Sequence, residues 1–234
     1  MTERGLVKSR ERARALIMEG KVMVGGAVSS KAGTMLPQDA VISLKADMPY
    51  VGRGGLKLEA ALEHFGIDTE GRIIMDVGCS TGGFTDCVLK RNARRVYAID
   101  VGHGQFDWSL RHDPRVVLLE KTNIRFLDRG AVAEAVDLAV IDVSFISLAL
   151  VLPPVREFLG QAGEVLALVK PQFEVGKGMV GKGGIVRDEA ARAAAVENIR
   201  DRSVDMGFRV KGLFESPVRG QKGNIEYFIY LGRD

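Results

Sequence analysis

The chain has 234 residues, of which 46% are hydrophobic and 27% are charged, a balance that suits one globular domain of ordinary size beside a smaller one. No apolar run approaches the roughly 20 residues that a membrane-spanning helix needs, and the basic N-terminus, MTERGLVKSRERARAL, lacks the apolar stretch of a secretory signal. We therefore expect a cytoplasmic protein that does not bind a membrane. The spacing of its two cysteines, Cys79 and Cys87, favours reduced thiols over a disulfide or a metal site.

The net charge of +3 is unevenly distributed along the chain. Residues 1–45 carry eight Lys and Arg against four Asp and Glu, a net +4, whereas the remaining residues carry 25 against 26, a net −1. A local basic excess suggests a polyanionic partner, although most charge runs are simply solvated helix faces.

Residues 1–46 have the pattern of a small α+β domain. Ser9 is a candidate helix N-cap and Gly20 a candidate stop. An apolar face at helical spacing lies between them: Ala13, Leu16 and Ile17. Gly25 and Gly26 separate two short apolar runs, which predicts a β-hairpin, and DAVISL predicts a further strand. A segment of this length can form only a marginal core, and we therefore expect it to be an appendage to a larger domain.

The segment SRERARALIMEGKVMVGGAV resembles the small RNA-binding domain first named from a small-subunit ribosomal protein. In that family an Arg-rich helix and the following hairpin grip RNA phosphates, and the matching positions are Arg10, Arg12, Arg14 and Lys21. The family normally has a further apolar turn before this point, so the resemblance implies a domain that is N-terminally truncated or frayed. Residues 47–55, which contain Pro and several Gly, are expected to form a linker.

Residues 56–234 alternate between strand and helix patterns. The apolar runs RIIMDV, RRVYAID, RVVLLE, DLAVID and EVLALVK predict strands, and GFTDCVLKRN and RDEAARAAAVENIRDRSVDMG predict helices. The pattern indicates a doubly wound, Rossmann-like α/β domain with a mostly parallel sheet. Near the C-terminus two β-rich runs flank RGQKGN with no helix between them, which predicts a terminal antiparallel hairpin at the sheet edge. A sheet closed in this way is typical of methyltransferases that use S-adenosylmethionine.

The loop DVGCSTGGFT, residues 76–85, has three possible kinds of ligand. A P-loop requires a Lys after its last Gly, and none follows Gly83. A dinucleotide-binding loop requires G-x-G-x-x-G, and Ser80 stands where the second Gly would let a pyrophosphate approach. The carboxylate of Asp76 would repel a pyrophosphate but suits the cationic amine and sulfonium of S-adenosylmethionine. We therefore expect that cofactor to bind at Asp76, Gly78, Ser80, Thr81, Gly82, Gly83 and Phe84.

Two later strand ends extend this predicted cofactor site. Asp100 ends the second strand of the larger domain, where a carboxylate can accept both ribose hydroxyls of a nucleoside, and this suits NAD as well as S-adenosylmethionine. Asn123 follows the third strand and is a candidate to contact the adenine edge, with a simple turn role as the alternative. GKGMVGKGG, residues 176–184, imitates a P-loop, but Gly183 replaces the hydroxyl residue that would hold magnesium.

Four polar residues are candidates for catalysis. Asp142 ends strand four and Lys170 ends strand five, where they would lie beside the cofactor loop because ligands bind at the carboxyl ends of such strands. A Lys at the end of a buried strand is hard to explain structurally, because Lys is almost never buried without a partner. Glu226 lies in the final hairpin and Lys57 in the first helix pattern of the larger domain.

The motifs GGLKLEAAL, DVGCSTGGFTDCVL, YAIDVGHGQFDWSLR, IDVSFISL, LVKPQFEVGKGMVGKGGIVRD and KGNIEYF resemble the TlyA, or hemolysin A, family across nearly the whole chain. That family joins the small RNA-binding domain to a methyltransferase domain similar to the FtsJ ribose methyltransferases. The resemblance implies S-adenosylmethionine-dependent 2′-O-methylation of cytidine in ribosomal RNA or ribosomal subunits. It also matches the FtsJ Lys-Asp-Lys-Glu set to Lys57, Asp142, Lys170 and Glu226, and Asp142 borders the cofactor as well.

This set suits the chemistry, because a ribose hydroxyl is a poor nucleophile near neutral pH and needs a base. We assign that role to Lys170, which requires a neutral amine, with Lys57 as the neighbouring cation and Asp142 and Glu226 orienting the amines. Two alternatives are an RNA-binding module with an inactive methyltransferase fold and a pore-forming hemolysin. The second is disfavoured because the apolar runs are used by an α/β core.

Overall fold

The computed structural model describes residues 1–29, 31–44, 48–176 and 178–233. The chain divides into two compact units, residues 1–48 and 49–234. The predicted boundary between residues 46 and 47 lies outside the described residues.

The smaller unit is one helix and a three-stranded antiparallel sheet. Its elements are α1 (Arg10–Met18), β1 (Val22–Val24), β2 (Ala27–Val28) and β3 (Ile42–Leu44), and the strand order is β2-β1-β3. The Ser9 side chain accepts a hydrogen bond from the Arg12 amide, so the predicted N-cap is confirmed. Gly25 and Gly26 both have positive φ, 56° and 85°, which a two-residue hairpin between β1 and β2 requires.

The core of the smaller unit is minimal. Among its described residues only Leu16, 6% exposed, and Val22, 2% exposed, are buried, while Met18 on the same helix is 71% exposed. The stability of this fold therefore depends on very few apolar contacts.

The larger unit is built on a seven-stranded sheet. Its strands are β4 (Ile73–Val77), β5 (Arg95–Ile99), β6 (Val116–Leu119), β7 (Val136–Ile141), β8 (Leu159–Val169), β9 (Phe208–Glu215) and β10 (Tyr227–Arg233). The strand order is β6-β5-β4-β7-β8-β10-β9. The first five strands pair in parallel, and β10 is antiparallel to both β8 and β9. The mostly parallel sheet and the antiparallel final pair confirm the predicted fold class.

Helices cover both faces of this sheet. They are α2 (Gly54–Phe65), α3 (Gly83–Lys90), α4 (Trp108–Arg111), α5 (Leu152–Arg156), α6 (Pro171–Glu174) and α7 (Glu189–Asp205). Apolar residues of α2 and α3 pack with Ile74 on one face of β4, whereas those of α5 and α7 pack with Met75 on the other. Both faces of β4 are therefore buried, which is why its residues other than Asp76 are all apolar, without alternation.

The position of β10 was only partly predicted. The pairing Tyr227↔Val169 places the start of β10 beside the end of β8, and β9 becomes the outer strand. Because β10 runs antiparallel, its first residues lie at the edge where the parallel strands end.

The predicted linker, residues 47–55, differs from the structure from Pro49 onward. Tyr50 is 7% exposed, the Val51 amide donates to Asp86 at 2.9 Å, and Gly54 already begins α2. A Cβ at Gly55 would overlap the Tyr50 ring, so the glycine provides the space in which the ring packs. This segment is part of the larger unit because the Tyr50 ring is buried there and the Asp86 carboxylate accepts its hydrogen bond.

Two expectations from composition concern the state of the cysteines and membrane-spanning helices. Cys79 and Cys87 are buried free thiols. In the described part of the chain, no helix is both long enough and apolar enough to cross a membrane.

Replacing Leu16 by Ala should unfold the smaller unit while the larger one stays folded. The substitution removes one of two buried side chains and should cost about 2–5 kcal/mol, more than a core of this size can lose. Hydrogen exchange resolved by peptide should show lost protection within residues 1–44 only. Met18→Ala, an exposed position of the same helix, should exchange like the unmodified chain, and equal protection in both variants would contradict this account.

Candidate active site

The loop after β4 turns sharply at three residues with positive φ. They are Gly78 at 86°, Ser80 at 48° and Gly82 at 94°. A Cβ at Gly78 would lie 2.5 Å from the carbonyl oxygen of Asp142, so only glycine allows the loop to pass the end of β7 this closely. The turn leads directly into α3, whose N-cap is Gly82.

A cavity of about 420 Å³ opens at the carboxyl ends of β4, β5 and β7. Its lining includes five of the residues predicted to bind a cofactor: Gly78, Ser80, Asp100, Asn123 and Asp142. Apolar side chains complete it, among them Ile99, Ile124 and Ile146. Three further predicted residues, Thr81, Gly83 and Phe84, border a smaller hollow of about 110 Å³ that shares Gly78, Ser80 and Asp142 with the cavity. Gly82 borders neither; it packs against Phe106 and Leu110.

Asp100 and Asn123 are held by backbone amides. Asp100 accepts hydrogen bonds from the amides of Ser80 at 2.8 Å and Gly102 at 2.6 Å, which fixes its carboxylate at the cavity wall. The Asn123 side-chain oxygen accepts from the Arg125 amide at 3.1 Å and caps a short 3₁₀ helix, Ile124–Phe126. Asn123 therefore has the turn role that was the alternative, and it also lines the cavity.

Asp76 differs from the expectation that its carboxylate faces the cofactor. It is 0% exposed, lies behind the loop outside the cavity lining, and accepts a hydrogen bond from the Thr85 hydroxyl at 2.6 Å. Burial raises its pKa to about 7; the Thr85 hydrogen bond lowers it, and the negative charge of Asp142 raises it further. The loop glycines turn away from the strand end, so α3 covers this carboxyl group instead of leaving it open.

The four predicted catalytic residues form two ion pairs. Asp142 follows β7 and Lys170 follows β8, and their side chains meet at 2.6 Å. Glu226 precedes β10, and its carboxylate lies 2.6 Å from the ammonium of Lys57 on α2. Because β7, β8 and β10 are neighbours in the sheet, three of the four residues stand in a row along one edge.

Both pairs are shielded from water. The side chains of Lys57 and Glu226 are 10% and 2% exposed, and those of Lys170 and Asp142 are 11% and 21% exposed. Such pairs lose hydration, so their geometry has to be good for them to persist.

Three residues that contact these pairs or line the cavity were not predicted from the sequence. Lys170 also donates to the Ser144 hydroxyl at 2.9 Å, and Gln172 donates to Glu226 at 3.2 Å. Phe145, 89% exposed, lines the cavity with a positive φ of 64°. All three lie inside the motifs IDVSFISL and LVKPQFE, so proximity in sequence to Asp142 and Lys170 was the available signal.

The four predicted RNA contacts lie in the smaller unit, in two separate groups. Arg10 and Arg14 border a hollow formed with residues 1–3, whereas Arg12 and Lys21 border another formed with residues 6–8. Lys21 also lies 3.2 Å from the carboxylate of Glu19. Arg10 and Arg14 thus lie together and Arg12 lies apart from them, as their spacing on a helix predicts.

Comparison with solved structures identifies the fold of the larger unit. A S-adenosylmethionine-dependent methyltransferase from Aquifex aeolicus aligns with a TM-score of 0.54 at 18% identity, covering 79% of this chain and 95% of that one. At this identity the likeness concerns the fold alone, and that fold is the one S-adenosylmethionine-dependent methyltransferases use.

Closer relatives identify the family. The model of the S4 domain matches residues 1–42 and that of the FtsJ-like methyltransferase matches residues 50–233. The 16S/23S rRNA (cytidine-2′-O)-methyltransferase TlyA of Mycobacterium tuberculosis is 46% identical over 99% of this chain and 87% of its own length. A solved Streptococcus thermophilus protein described as a hemolysin aligns with a TM-score of 0.80 at 42% identity, covering 99% of this chain and 85% of that one. The chain therefore belongs to the FtsJ-like methyltransferase family, in the TlyA group that carries an S4 domain, as its motifs predicted.

Replacing Asp76 by Asn should change how stability depends on pH. The folded pKa, about 7, lies above the ordinary value of 3.8, so the folded state keeps the proton longer than the unfolded state. The free energy of unfolding should therefore fall between about pH 4 and 7, by about 4 kcal/mol in total, and stay low above that range.

Asp76→Asn removes this loss, so its stability relative to the unmodified chain should increase from pH 5 to pH 8 in urea denaturation. Asp201→Asn, at an exposed site of α7, should follow the unmodified chain. Parallel pH profiles for all three proteins would show that Asp76 titrates normally.

Proposed function

We propose that this protein is an S-adenosylmethionine-dependent methyltransferase that acts on ribose 2′-hydroxyls of ribosomal RNA, with cytidine as the nucleoside. One observation carries the proposal: Asp142 lines the cavity beside the glycine-rich loop and also pairs with Lys170. A methyl donor bound in the cavity and the proton acceptor Lys170 would therefore both lie next to Asp142. The name of the TlyA relative supports the substrate.

The cavity has the chemistry that this cofactor needs. Asp100 presents a fixed carboxylate suited to the ribose hydroxyls, and Ile99 and Ile124 offer apolar surface for an adenine ring. Asp100 and Asp142 place negative charge around the cavity, which suits a sulfonium cation. When bound, S-adenosylmethionine supplies an electrophilic methyl group.

Lys170 would remove the proton from the 2′-hydroxyl at its Nζ atom, and it can do so only as a neutral amine. Asp142 and Ser144 hold that atom by contacts of 2.6 and 2.9 Å, so its lone pair would have a defined direction. Lys57, fixed by Glu226, would donate a hydrogen bond to the oxygen of the 2′-hydroxyl and so orient it. Alignment of the hydroxyl, rather than proton removal alone, would supply much of the acceleration.

Replacing Lys170 by Met should abolish methyl transfer without abolishing cofactor binding. Loss of a general base costs about 10²–10⁴-fold in rate, whereas the cavity residues that bind the cofactor are unchanged. Labelled methyl transfer onto ribosomal subunits measures the first quantity, and calorimetric titration with S-adenosylmethionine the second. Lys211→Met, which removes another ion-paired lysine, should keep both. Near-normal transfer by Lys170→Met would disprove the base assignment.

The chemical position of the methyl group tests the reaction itself. A 2′-O-methyl group makes the adjacent phosphodiester resistant to alkali, because the neighbouring hydroxyl can no longer attack it. Label recovered in alkali-resistant dinucleotides would support the proposal. Label recovered on a base would disprove it.

We further propose that the smaller unit binds RNA through the basic residues of its helix and the start of β1. Each phosphate contact contributes about 0.7–0.9 to the slope of log affinity against log salt. Arg10→Gln with Arg14→Gln, and separately Arg12→Gln with Lys21→Gln, should each lower that slope by about 1.5. Anisotropy titrations of an rRNA fragment at several KCl concentrations measure it.

Lys31→Gln, an exposed position of the same unit, should change the slope less than either pair. If only one pair lowers the slope, RNA binds on one side of α1 alone. If neither does, the smaller unit does not carry the phosphate contacts.

A further inference from the structure

Gln172 is a neutral side chain that contacts one of the two ion pairs and follows a member of the other closely in sequence. It lies on α6, two residues after Lys170, and its side-chain nitrogen donates to Glu226 Oε1 at 3.2 Å. The other oxygen of Glu226 accepts from Lys57 at 2.6 Å. Each oxygen of this carboxylate therefore has its own donor.

The Glu226 carboxylate has little freedom apart from these donors. It is 2% exposed, and a Cβ at Gly220 would overlap it, so the backbone at Gly220 closes one side. Without the Gln172 amide, Oε1 would be a buried acceptor with no donor in the described structure, and the carboxylate could rotate about its link to Lys57. The direction of the Lys57 ammonium depends on that carboxylate.

Gln172 is also connected to Lys170, through the backbone of the turn that contains both residues. The Phe173 amide donates to the Lys170 carbonyl at 2.8 Å, which closes the turn from the end of β8 into α6. A shift of Lys170 would therefore move Gln172, and through it Glu226. Within the described residues the Gln172 oxygen Oε1 is buried without a hydrogen-bond partner.

We propose that Gln172 is a positioning residue that holds Glu226, and so the Lys57–Glu226 pair, in register with Lys170. This inference rests on the proposed methyl transfer. Gln172 need not touch the cofactor or the reacting atoms, so its loss should reduce turnover at saturating substrates and leave binding unchanged.

Gln172→Met keeps the length of the side chain and removes the donor. Its kcat should fall about tenfold or more, as expected for one hydrogen bond to a buried charge. The Kd for S-adenosylmethionine and the KM for ribosomal subunits should stay within about twofold, since this change leaves ground-state binding intact. Gln161→Met, at an exposed position of β8, should match the unmodified enzyme in all three quantities.

Gln172→Glu gives a signature that a merely structural role would not produce. The introduced carboxyl can donate to Glu226 only while protonated, and once ionised it repels that carboxylate. The ratio of its kcat to that of the unmodified enzyme should therefore be highest at low pH and fall as pH rises. A ratio independent of pH would overturn the proposal.

The outcomes separate this inference from the proposed function. If the unmodified enzyme transfers no methyl group to ribose, the proposed function fails. If it is active and Gln172→Met retains its kcat, only the positioning role fails. If Gln172→Met binds the cofactor poorly or melts early, Gln172→Glu tests the positioning role instead: a kcat ratio that falls as pH rises supports that role, and a constant ratio contradicts it.

Discussion

The ion pair between Lys57 and Glu226 is the interaction on which the proposed catalytic site depends. The two residues are 169 positions apart in the sequence, and their side chains are almost fully buried. Burying two charges costs hydration energy that their attraction repays only with good geometry, and a partner removed alone leaves an uncompensated charge. The pair therefore contributes little as a source of stability. It joins the first helix of the larger unit to the residue that precedes its last strand, so it can form only when both α2 and β10 are in place.

The antiparallel course of β10 makes that pair possible. Parallel strands end at one edge of a sheet, and a strand inserted in the opposite direction begins there. Glu226, immediately before β10, thus reaches the same edge as Asp142 and Lys170. The cavity lies on the other side of Asp142, toward β4 and β5. One strand order therefore separates the cavity proposed for the cofactor from the lysines proposed for proton transfer, and Asp142 lies between them.

Three aspartates at neighbouring strand ends show how partners decide a role. Asp76 is fully buried beneath α3 with a raised pKa, Asp100 is held by two backbone amides at the cavity wall, and Asp142 pairs with a lysine. In the sequence all three appear as an acid after an apolar run. What distinguishes them is the path of the loop that follows each strand, since that path determines whether the carboxylate meets a hydroxyl, an amide or a cation.

The sequence by itself determined the two-domain composition, the mostly parallel sheet, the family and the residue types at the strand ends, because hydrophobic periodicity and short motifs are local properties. It could not determine that Tyr50 belongs to the larger unit or which lysine pairs with which carboxylate. Gln172 was visible only as part of a motif until the fold placed it against Glu226. Only the tertiary structure decided these points, because each depends on contacts between residues far apart in the chain and on how completely those contacts exclude water.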